Sequence, residues 1–591
     1  MKEYSPNRKF KLKLLQILII FVLIFNLTNN STINSQDKPR RLNNYNQTSK
    51  KSYQYPKDTL VLQKLQWWQG LKFGLMMHWG TYSVNNIIES WTLCNEDFDW
   101  NTRRGPFGNN YYEYKKWYEN AQKQFNPVLF NPNKFVNAAK YAGMRYVVFT
   151  TKHHDGFCMF RTNSTDYCVT DPKTPYSQDP RANITQEIFT AFRKNSFGIG
   201  AYYSKPDWHS NNYWWEYFAT PDRNVNYETI KYPLRWNSFV RFTHSQLYEL
   251  TYNFGNLDIL WLDGAWVAPD NKNQDINMPS IVGMARQNQP GMLVVNRGCG
   301  DFEDYLTPEQ EIPEIPPNSP WETCMTMGNY WSGVSGDTYK PTNKLIHNLI
   351  EIVAKGGNYL LNIGINSQGE WDTAAYNRLT EIGDWMGINN QAIYNTTSIF
   401  PYKESNICFT KKSDTIFVLY RVPNNQNTIP AVLKWKSILP TNTRNVFLLG
   451  YDEPLTYQID NFGYVNVLIP VNLQNNPPCK HAYVLYFKNY TVVPVENTHL
   501  QIPIEFKLHS NFPNPFNLKT EIAFDVPKRE RITITIFDVS GKEIVKVINN
   551  EYKNPGKYVI PFDGTNLSSG TYFCRMDSGD YSNTIRMVFL K

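Results

Sequence analysis

The chain runs to 591 residues, 41% of them hydrophobic, enough to bury a large core and too long for one small module. Its formal charge of +8 does not make it a nucleic-acid binder. Lys2, Arg8, Lys9, Lys11 and Lys13 against Glu3 put about half the excess in the first thirteen residues, and the rest is scattered without a basic block.

That basic start leads into LLQILIIFVLIFNL (14–27) and then polar TNNSTINSQ, the n-region and h-region of a secretory signal. The apolar run falls short of the roughly 20 residues of a membrane span, so no stable span is expected once the signal, assigned to 1–35, is removed. An uncleaved anchor is the alternative. Residues 36–55 are polar and aperiodic and read as a linker. Export permits disulfides, but the eight cysteines are scattered and lack CxxC spacing, which argues against a zinc or iron–sulfur site and fixes no pairing.

From 56 to 400, short apolar runs recur: FGLMM (73–77), YVVFT (146–150), IGAYYS (199–204), LDILWL (257–262), MLVVN (292–296) and YLLNIG (359–364). Helix-like segments separate them. In NKLIHNLIEIVAKGG, Leu345, Leu349, Ile352 and Val353 share one helical face, and Gly356 with Gly357 supplies the stop. Continuous apolar strands alternating with helices imply an α/β fold with a parallel sheet covered by helices. Over some 340 residues, without a glycine-rich phosphate loop, a TIM-like (β/α) barrel fits better than a doubly wound sheet. Six runs are a minimum count of its strands.

Beyond Ile399 the pattern turns to alternation, as in TIFVLYRV and HAYVLYF, predicting an antiparallel β-sandwich over 401–490. A linker, 491–506, precedes a second strand-rich stretch, 507–591, punctuated by SGK, NPGK and SSG turns; it reads as a small separate β-sandwich.

Active sites of such barrels lie at the C-terminal strand ends. There the chain places His78, then His153 and His154, then Tyr203, then Trp261 and Asp263, then Arg297. One strand-end aspartate is an ordinary loop anchor, but five successive strands ending in such groups point to a site. Neutral imidazoles suit sugar hydroxyls, and no HExxH-type spacing supports a metal. Trp79, Trp91, Trp261, Trp266 and Trp321 near these segments offer faces for the C–H side of a pyranose. Glycoside hydrolysis needs two carboxyl groups. Asp263 suits the ionised one, and Glu309, Glu311, Glu314 and Glu322 are open candidates for the other.

KFGLMMHWGTYSV (72–84), AAKYAGMRYVVFTTKHHDGF (138–157), LDILWLDGAW (257–266), WETCMTMG (321–328) and VAKGGNYLLNIG (353–364) resemble the blocks of the family 29 glycoside hydrolases, the α-L-fucosidases, in the expected order. The resemblance implies a (β/α) barrel with a following β-sandwich, a retaining mechanism without metal or other cofactor, and a fucosylated glycan as substrate. It implies Asp263 as nucleophile and His78, His153, His154, Tyr203, Trp261 and Arg297 as sugar contacts, with Glu89 and Trp91 of ESW in place of the family's Glu-Trp pair. DYLTPEQ resembles the segment that supplies the acid/base, which favours Glu309, with Glu322 in reserve. The tail motifs SNFPNPFN, IFDVSGKEI and SSGTYFCRM resemble the sorting domain of the type IX secretion system. They imply the secretion machinery as partner and a secreted or outer-membrane cell-surface location. The competing readings are a non-hydrolytic glycan-binding or adhesion protein on the same barrel, and a glycosidase of related hexose specificity.

Overall fold

A computed structural model describes residues 53–591 apart from 54, 97–102, 104, 318, 424–427, 442–444, 494–502, 504 and 512–513. The expected signal and most of both expected linkers lie outside the described residues. The described residues form two compact units: one runs from Tyr53 to Tyr490 except 437–439, and the other comprises those three residues with the described part of 491–591.

The first unit opens with helix α1 (Thr59–Leu71), whose first turn is closed by the Asp58 carboxylate accepting from the Leu60 and Val61 amides. Strands and helices then alternate: β1 (Phe73–Met77), α2 (Tyr111–Glu119), α3 (Pro132–Tyr141), β2 (Tyr146–Lys152), α4 (Ile184–Lys194), β3 (Gly198–Ser204), α5 (Pro233–Asn253), β4 (Ile259–Asp263), α6 (Met278–Asn288), β5 (Leu293–Val294), β6 (Glu322–Thr326), α7 (Thr342–Ala354), β7 (Asn358–Asn362) and α8 (Thr373–Asn389). Every residue of β1, β2, β3, β6 and β7 is buried, because parallel strands have helices on one face and the barrel interior on the other. The six apolar runs are all strands or strand ends. The additional one, β6, begins at Glu322, a charge that hid it from a search for apolar runs.

The strands are hydrogen-bonded in the order β5-β4-β3-β2-β1-β7-β6, all parallel. Between β5 and β6 the ring is closed by an irregular eighth segment. Its Asp304 amide donates to Val294 O at 2.9 Å, and the Glu322 amide donates to Leu306 O at 2.9 Å. Further along, Gln310 donates to Cys324 O at 2.9 Å. Pro308 accepts from the Cys324 amide at 3.2 Å but has no N–H to return, so the segment reaches the C-terminal rim of the barrel as an extended chain rather than a regular strand. Glu309 sits on it. At the opposite end α1 plugs the barrel: Val61, Leu65 and Trp68 pack with Tyr146, Ile259, Leu293 and Leu360, and Trp68 stacks on Tyr305 at 4.1 Å.

Still within the first unit, eight antiparallel strands follow: β8 (Thr397–Glu404), β9 (Ile407–Lys412), β10 (Thr415–Arg421), β11 (Val432–Trp435), β12 (Asn445–Leu448), β13 (Tyr451–Ile459), β14 (Val465–Leu468) and β15 (Ala482–Lys488). Their order is β11-β14-β13-β12-β15-β10-β9-β8. β13 spans two groups of strands, pairing with β12 through Tyr451–Thr456 and with β14 through Tyr457–Ile459. Helices α7 and α8 anchor this layer. Trp385 Nε1 donates to Ala482 O at 2.9 Å, and Glu351 accepts from Arg421 at 2.5 Å, Lys355 at 3.1 Å and Lys403 at 3.3 Å.

The second unit holds a three-stranded sheet (Lys507–Leu508, Lys519–Val526, Gly556–Asp563) and a four-stranded one (Glu530–Phe537, Glu543–Lys553, Gly570–Ser578, Tyr581–Phe589). Ile522, Phe524 and Val526 from one, with Ile534, Met576 and Phe589 from the other, share one core.

Candidate active site

A cavity opens at the C-terminal ends of the barrel strands, lined by His78, Glu89, Trp91, His153, His154, Tyr202, Arg223, Trp261, Asp263, Trp266, Arg297, Glu309 and Trp331, with Met76, Ala265 and Cys324. Nine of the eleven site residues expected from sequence are among them. Tyr203 and Glu322 are not.

Asp263 ends β4, and the chain turns away at once. Gly264 has φ +85°, and a Cβ there would lie 2.4 Å from Pro206 Cδ, so both conformation and space require glycine. The other aspartate of the segment has a different fate. Asp258, before the strand, accepts from the Ile199 amide at 2.9 Å and pairs with Lys64 at 2.5 Å.

Burial would raise the Asp263 pKa, but its neighbours overcome it. Arg297 Nη1 stands 3.4 Å from Oδ1, the Tyr202 hydroxyl donates to Oδ2 at 2.6 Å, and the Gly264 amide adds a further donor. Together they hold the carboxyl below its ordinary range. The same Arg297 Nη1 donates to Glu309 Oε2 at 3.1 Å. One nitrogen therefore bridges both carboxylates. The two contacts laid end to end cap the separation of those oxygens, and that cap reaches only the shortest spacing found in inverting glycosidases. Arg297 itself is fixed by Nε on Thr307 Oγ1 at 3.0 Å and by its Cζ 4.8 Å over Trp261.

The three histidines are held uncharged. Burial pushes His78 down to about 4, His154 to about 3 and His153 well below the usual imidazole value. The hydrogen-bond network also sets a tautomer. Asn362 Nδ2 donates to Trp331 O at 2.8 Å, which turns its Oδ1 toward His78 Nδ1 at 2.9 Å. His78 therefore carries its proton on Nδ1 and keeps Nε2 as an acceptor. His153 Nδ1 is paired with Ser90 Oγ at 2.5 Å.

Indoles supply the remaining wall. Trp91 lies 5.3 Å from His154 and 5.5 Å from Trp266, while Trp261 stacks on Tyr202 at 5.4 Å. Trp79 and Trp321 stay out of the cavity, the first packed on Phe125 and Phe130, the second donating to Lys355 O. Among the described residues no group of three or more His, Cys, Asp or Glu side chains could hold a metal ion. Ionised carboxylate, second carboxyl, fixed guanidinium, neutral imidazoles and flat apolar faces suit a polyhydroxylated ring and the breaking of its glycosidic bond.

The family model described as alpha-L-fucosidase matches residues 41–391. The chain belongs to the alpha-L-fucosidase family. The tissue alpha-L-fucosidase of Mus musculus is 26% identical over 446 residues, covering 71% of this chain and 90% of the mouse protein. The plasma alpha-L-fucosidase of Homo sapiens is 26% identical over 465 residues, 72% of this chain and 89% of its own. Alpha-L-fucosidase isoenzyme 1 from Paenibacillus thiaminolyticus superposes with a TM-score of 0.59 at 27% identity, over 73% of this chain and 99% of that one. The Thermotoga maritima alpha-fucosidase, solved in complex with fucose, shares the fold at a TM-score of 0.57 and 24% identity, over 73% of this chain and all of its own. Residues 510–590 match the secretion system C-terminal sorting domain, which marks the chain for secretion or surface export. By family, then, this is a glycoside hydrolase acting on fucosylated glycans.

Against that family background, the two residues outside the cavity have definite places. Tyr203 donates its hydroxyl to Gln246 Oε1 at 2.8 Å, with Lys152 Nζ 4.2 Å over its ring, on the helix side of β3. Tyr202 occupies the inward position instead. Glu322 is fully buried within the barrel, its Oε2 accepting from the Tyr146 hydroxyl at 2.5 Å and its Oε1 from Trp261 Nε1 at 3.1 Å. It supports the floor of the fucosidase cavity from beneath. Arg223 and Trp331 line the cavity without any strand-end signal in the sequence, since both lie in long loops.

Proposed function

We propose that the protein is a retaining exo-α-L-fucosidase that removes terminal α-L-fucose by double displacement. The observation carrying this reading is the shared Arg297 Nη1, 3.4 Å from Asp263 and 3.1 Å from Glu309, which holds two carboxylates close together at the rim. In the first step Asp263 Oδ attacks the anomeric carbon as Glu309, in its protonated form, donates that proton to the departing glycosidic oxygen. The carbon–oxygen bond to the aglycone breaks and an ester to Asp263 forms. That ester is neutral, so Arg297 is left facing Glu309 as a carboxylate. In the second step Glu309 takes a proton from water, whose oxygen displaces Asp263 and releases fucose.

His78, His153 and His154, being neutral, accept or donate to the ring hydroxyls without adding positive charge against the oxocarbenium-like transition state. Glu89, Trp91 and Trp261 complete the ring contacts. Glu322 is the weaker acid/base candidate because both of its oxygens are engaged beneath the floor, by Tyr146 and Trp261. The leader and sorting domain together support export to the outer-membrane cell surface or beyond.

Incubation with a 2-fluoro-fucosyl fluoride, followed by peptide mass spectrometry, is expected to find one 2-fluoro-fucosyl adduct on the peptide containing Asp263. An adduct elsewhere, or turnover of aryl galactosides but not of aryl fucosides, would overturn the mechanism or the sugar assignment respectively.

A further inference from the structure

Two loops wall the cavity, following the strands on either side of β2, and they are stitched together. The loop after β1 carries Glu89 and Trp91, and the loop after β3 carries Arg223. Asn95 Nδ2 donates to Thr220 O at 2.6 Å. Glu96 Oε1 accepts from both Arg223 Nε, at 2.6 Å, and the Arg223 amide, at 3.0 Å, while its Oε2 takes Arg223 Nη2. Arg103 grips the first loop from its own side, through Thr92 O at 3.0 Å and Cys94 O at 3.2 Å. The Arg223 carbonyl is fixed in turn by Trp208 Nε1 at 3.2 Å and the Tyr213 hydroxyl at 3.1 Å.

The guanidinium so held lines the cavity, and its Cζ stands 4.8 Å from the Trp91 ring and 5.2 Å from the Trp266 ring. A fork-on-fork pair fixes the plane of a guanidinium as well as its position, and a plane held that way can carry two indoles. The Arg223 and Glu96 side chains are only 11% and 20% exposed, so solvent does little to loosen the pair. Arg223 also stands close enough to help keep His154 uncharged.

We infer that Glu96 is a positioning residue which, through Arg223, sets the Trp91–Trp266 wall against which the sugar packs. This rests on the retaining fucosidase reading above. Glu96 touches neither substrate nor reacting carboxylate. Its loss relaxes contacts made equally in the ground and transition states, so the effect falls on KM rather than kcat.

The test is steady-state kinetics on 4-nitrophenyl α-L-fucoside with the full chain. Glu96→Gln and Arg223→Lys are each expected to raise KM about tenfold with kcat within about twofold, and the double variant to be no worse than either single. Methylguanidinium is expected to lower the KM of Arg223→Ala but not of Glu96→Gln/Arg223→Ala. Glu96→Gln keeps the side chain's shape, so it carries the test should Arg223→Ala fail to fold. Unmoved KM in Glu96→Gln, effects that multiply in the double variant, or a fall in kcat at constant KM would each overturn the brace. Absence of wild-type turnover sinks the functional reading itself, whereas normal wild-type turnover with unmoved variants sinks the brace alone.

Discussion

Two clusters of charge in the first unit are built on opposite ratios. At the cavity one cation, Arg297, serves two carboxylates, Asp263 and Glu309. Where α7 meets the antiparallel sheet, one carboxylate, Glu351, serves three cations, Arg421, Lys355 and Lys403. The second arrangement is saturated: Glu351 would be raised by burial, yet its partners pull it down to about 2. The first is left short of positive charge beside three neutral imidazoles, which suits a pocket where positive charge develops on a sugar ring during reaction. A surplus of cations secures a joint, and a deficit prepares a site.

The largest expected effect comes from removing the attacking group. Asp263→Ala should lower kcat on an aryl fucoside by a factor on the order of 10⁴ or more, with an unchanged far-ultraviolet dichroism spectrum. Ordinary turnover in that variant would end the comparison, since the deficit at the cavity would then have no catalytic meaning. Next in size, Glu309→Gln should cost roughly 10² to 10⁴ in kcat, most on poor leaving groups that need protonation and least on activated aryl fucosides. Azide should restore turnover to a Glu309→Gly variant by replacing water in the second step. If Glu322→Gln showed this leaving-group dependence instead, the two glutamates would exchange roles.

The saturated joint makes a stability prediction with a definite sign. A folded-state pKa of about 2 for Glu351, against roughly 4.3 unfolded, contributes stability that is complete above about pH 5 and is lost as pH falls through 2. Glu351→Gln should therefore lower stability by about 3 kcal/mol at neutral pH and by much less near pH 2. Glu322 runs the other way. Burial, opposed by the Tyr146 and Trp261 donors and by Arg297, raises it to about 7. Its protonated form favours the fold fully below about pH 4, and that contribution fades as pH climbs through 7. The stability difference between wild type and Glu322→Gln should thus shift by up to about 3 kcal/mol between pH 4 and 8. Thermal or urea unfolding from pH 2 to 8 measures both.

The sequence makes one of these regions far more legible than the other. Asp263, Arg297 and the histidines stand where apolar runs end, so a (β/α) barrel topology alone brings them together. The eighth barrel segment was not readable as a strand, because Asp304–Gln310 contains Pro308 and no apolar run and acquires its hydrogen bonds only from the neighbours on either side. Arg223 and Trp331 escape notice for a similar reason: loops carry no periodicity, and only folding brings them to the cavity. Of the Glu351 joint only the i,i+4 neighbour Lys355 is legible in the sequence; Lys403 of β8 and Arg421 of β10 join it once those strands meet α7.

The smallest effect separates two neighbours that sequence could not rank. In a parallel barrel strand both faces are buried, so alternation of hydrophobicity, which fixes the inward phase of a half-exposed strand, gives no signal within IGAYYS. The phase is set by pairing with β4: Tyr202 stands opposite Trp261 and Ser204 opposite Asp263, so Tyr202 shares the inward face with both. Tyr203 is turned to the helices, onto Gln246. Removing one donor from an ionised, partly buried carboxylate is worth about 1.5–3 kcal/mol, so Tyr202→Phe should cut kcat/KM on an aryl fucoside by roughly 10- to 100-fold and raise the acid limb of its pH profile as the Asp263 pKa rises. Tyr203→Phe removes a hydrogen bond of about 1 kcal/mol from the outer core and should lower the melting temperature slightly while leaving kcat/KM within about twofold. Were Tyr203→Phe the more damaging to turnover, the inward phase of β3 assigned by its register with β4 would be wrong.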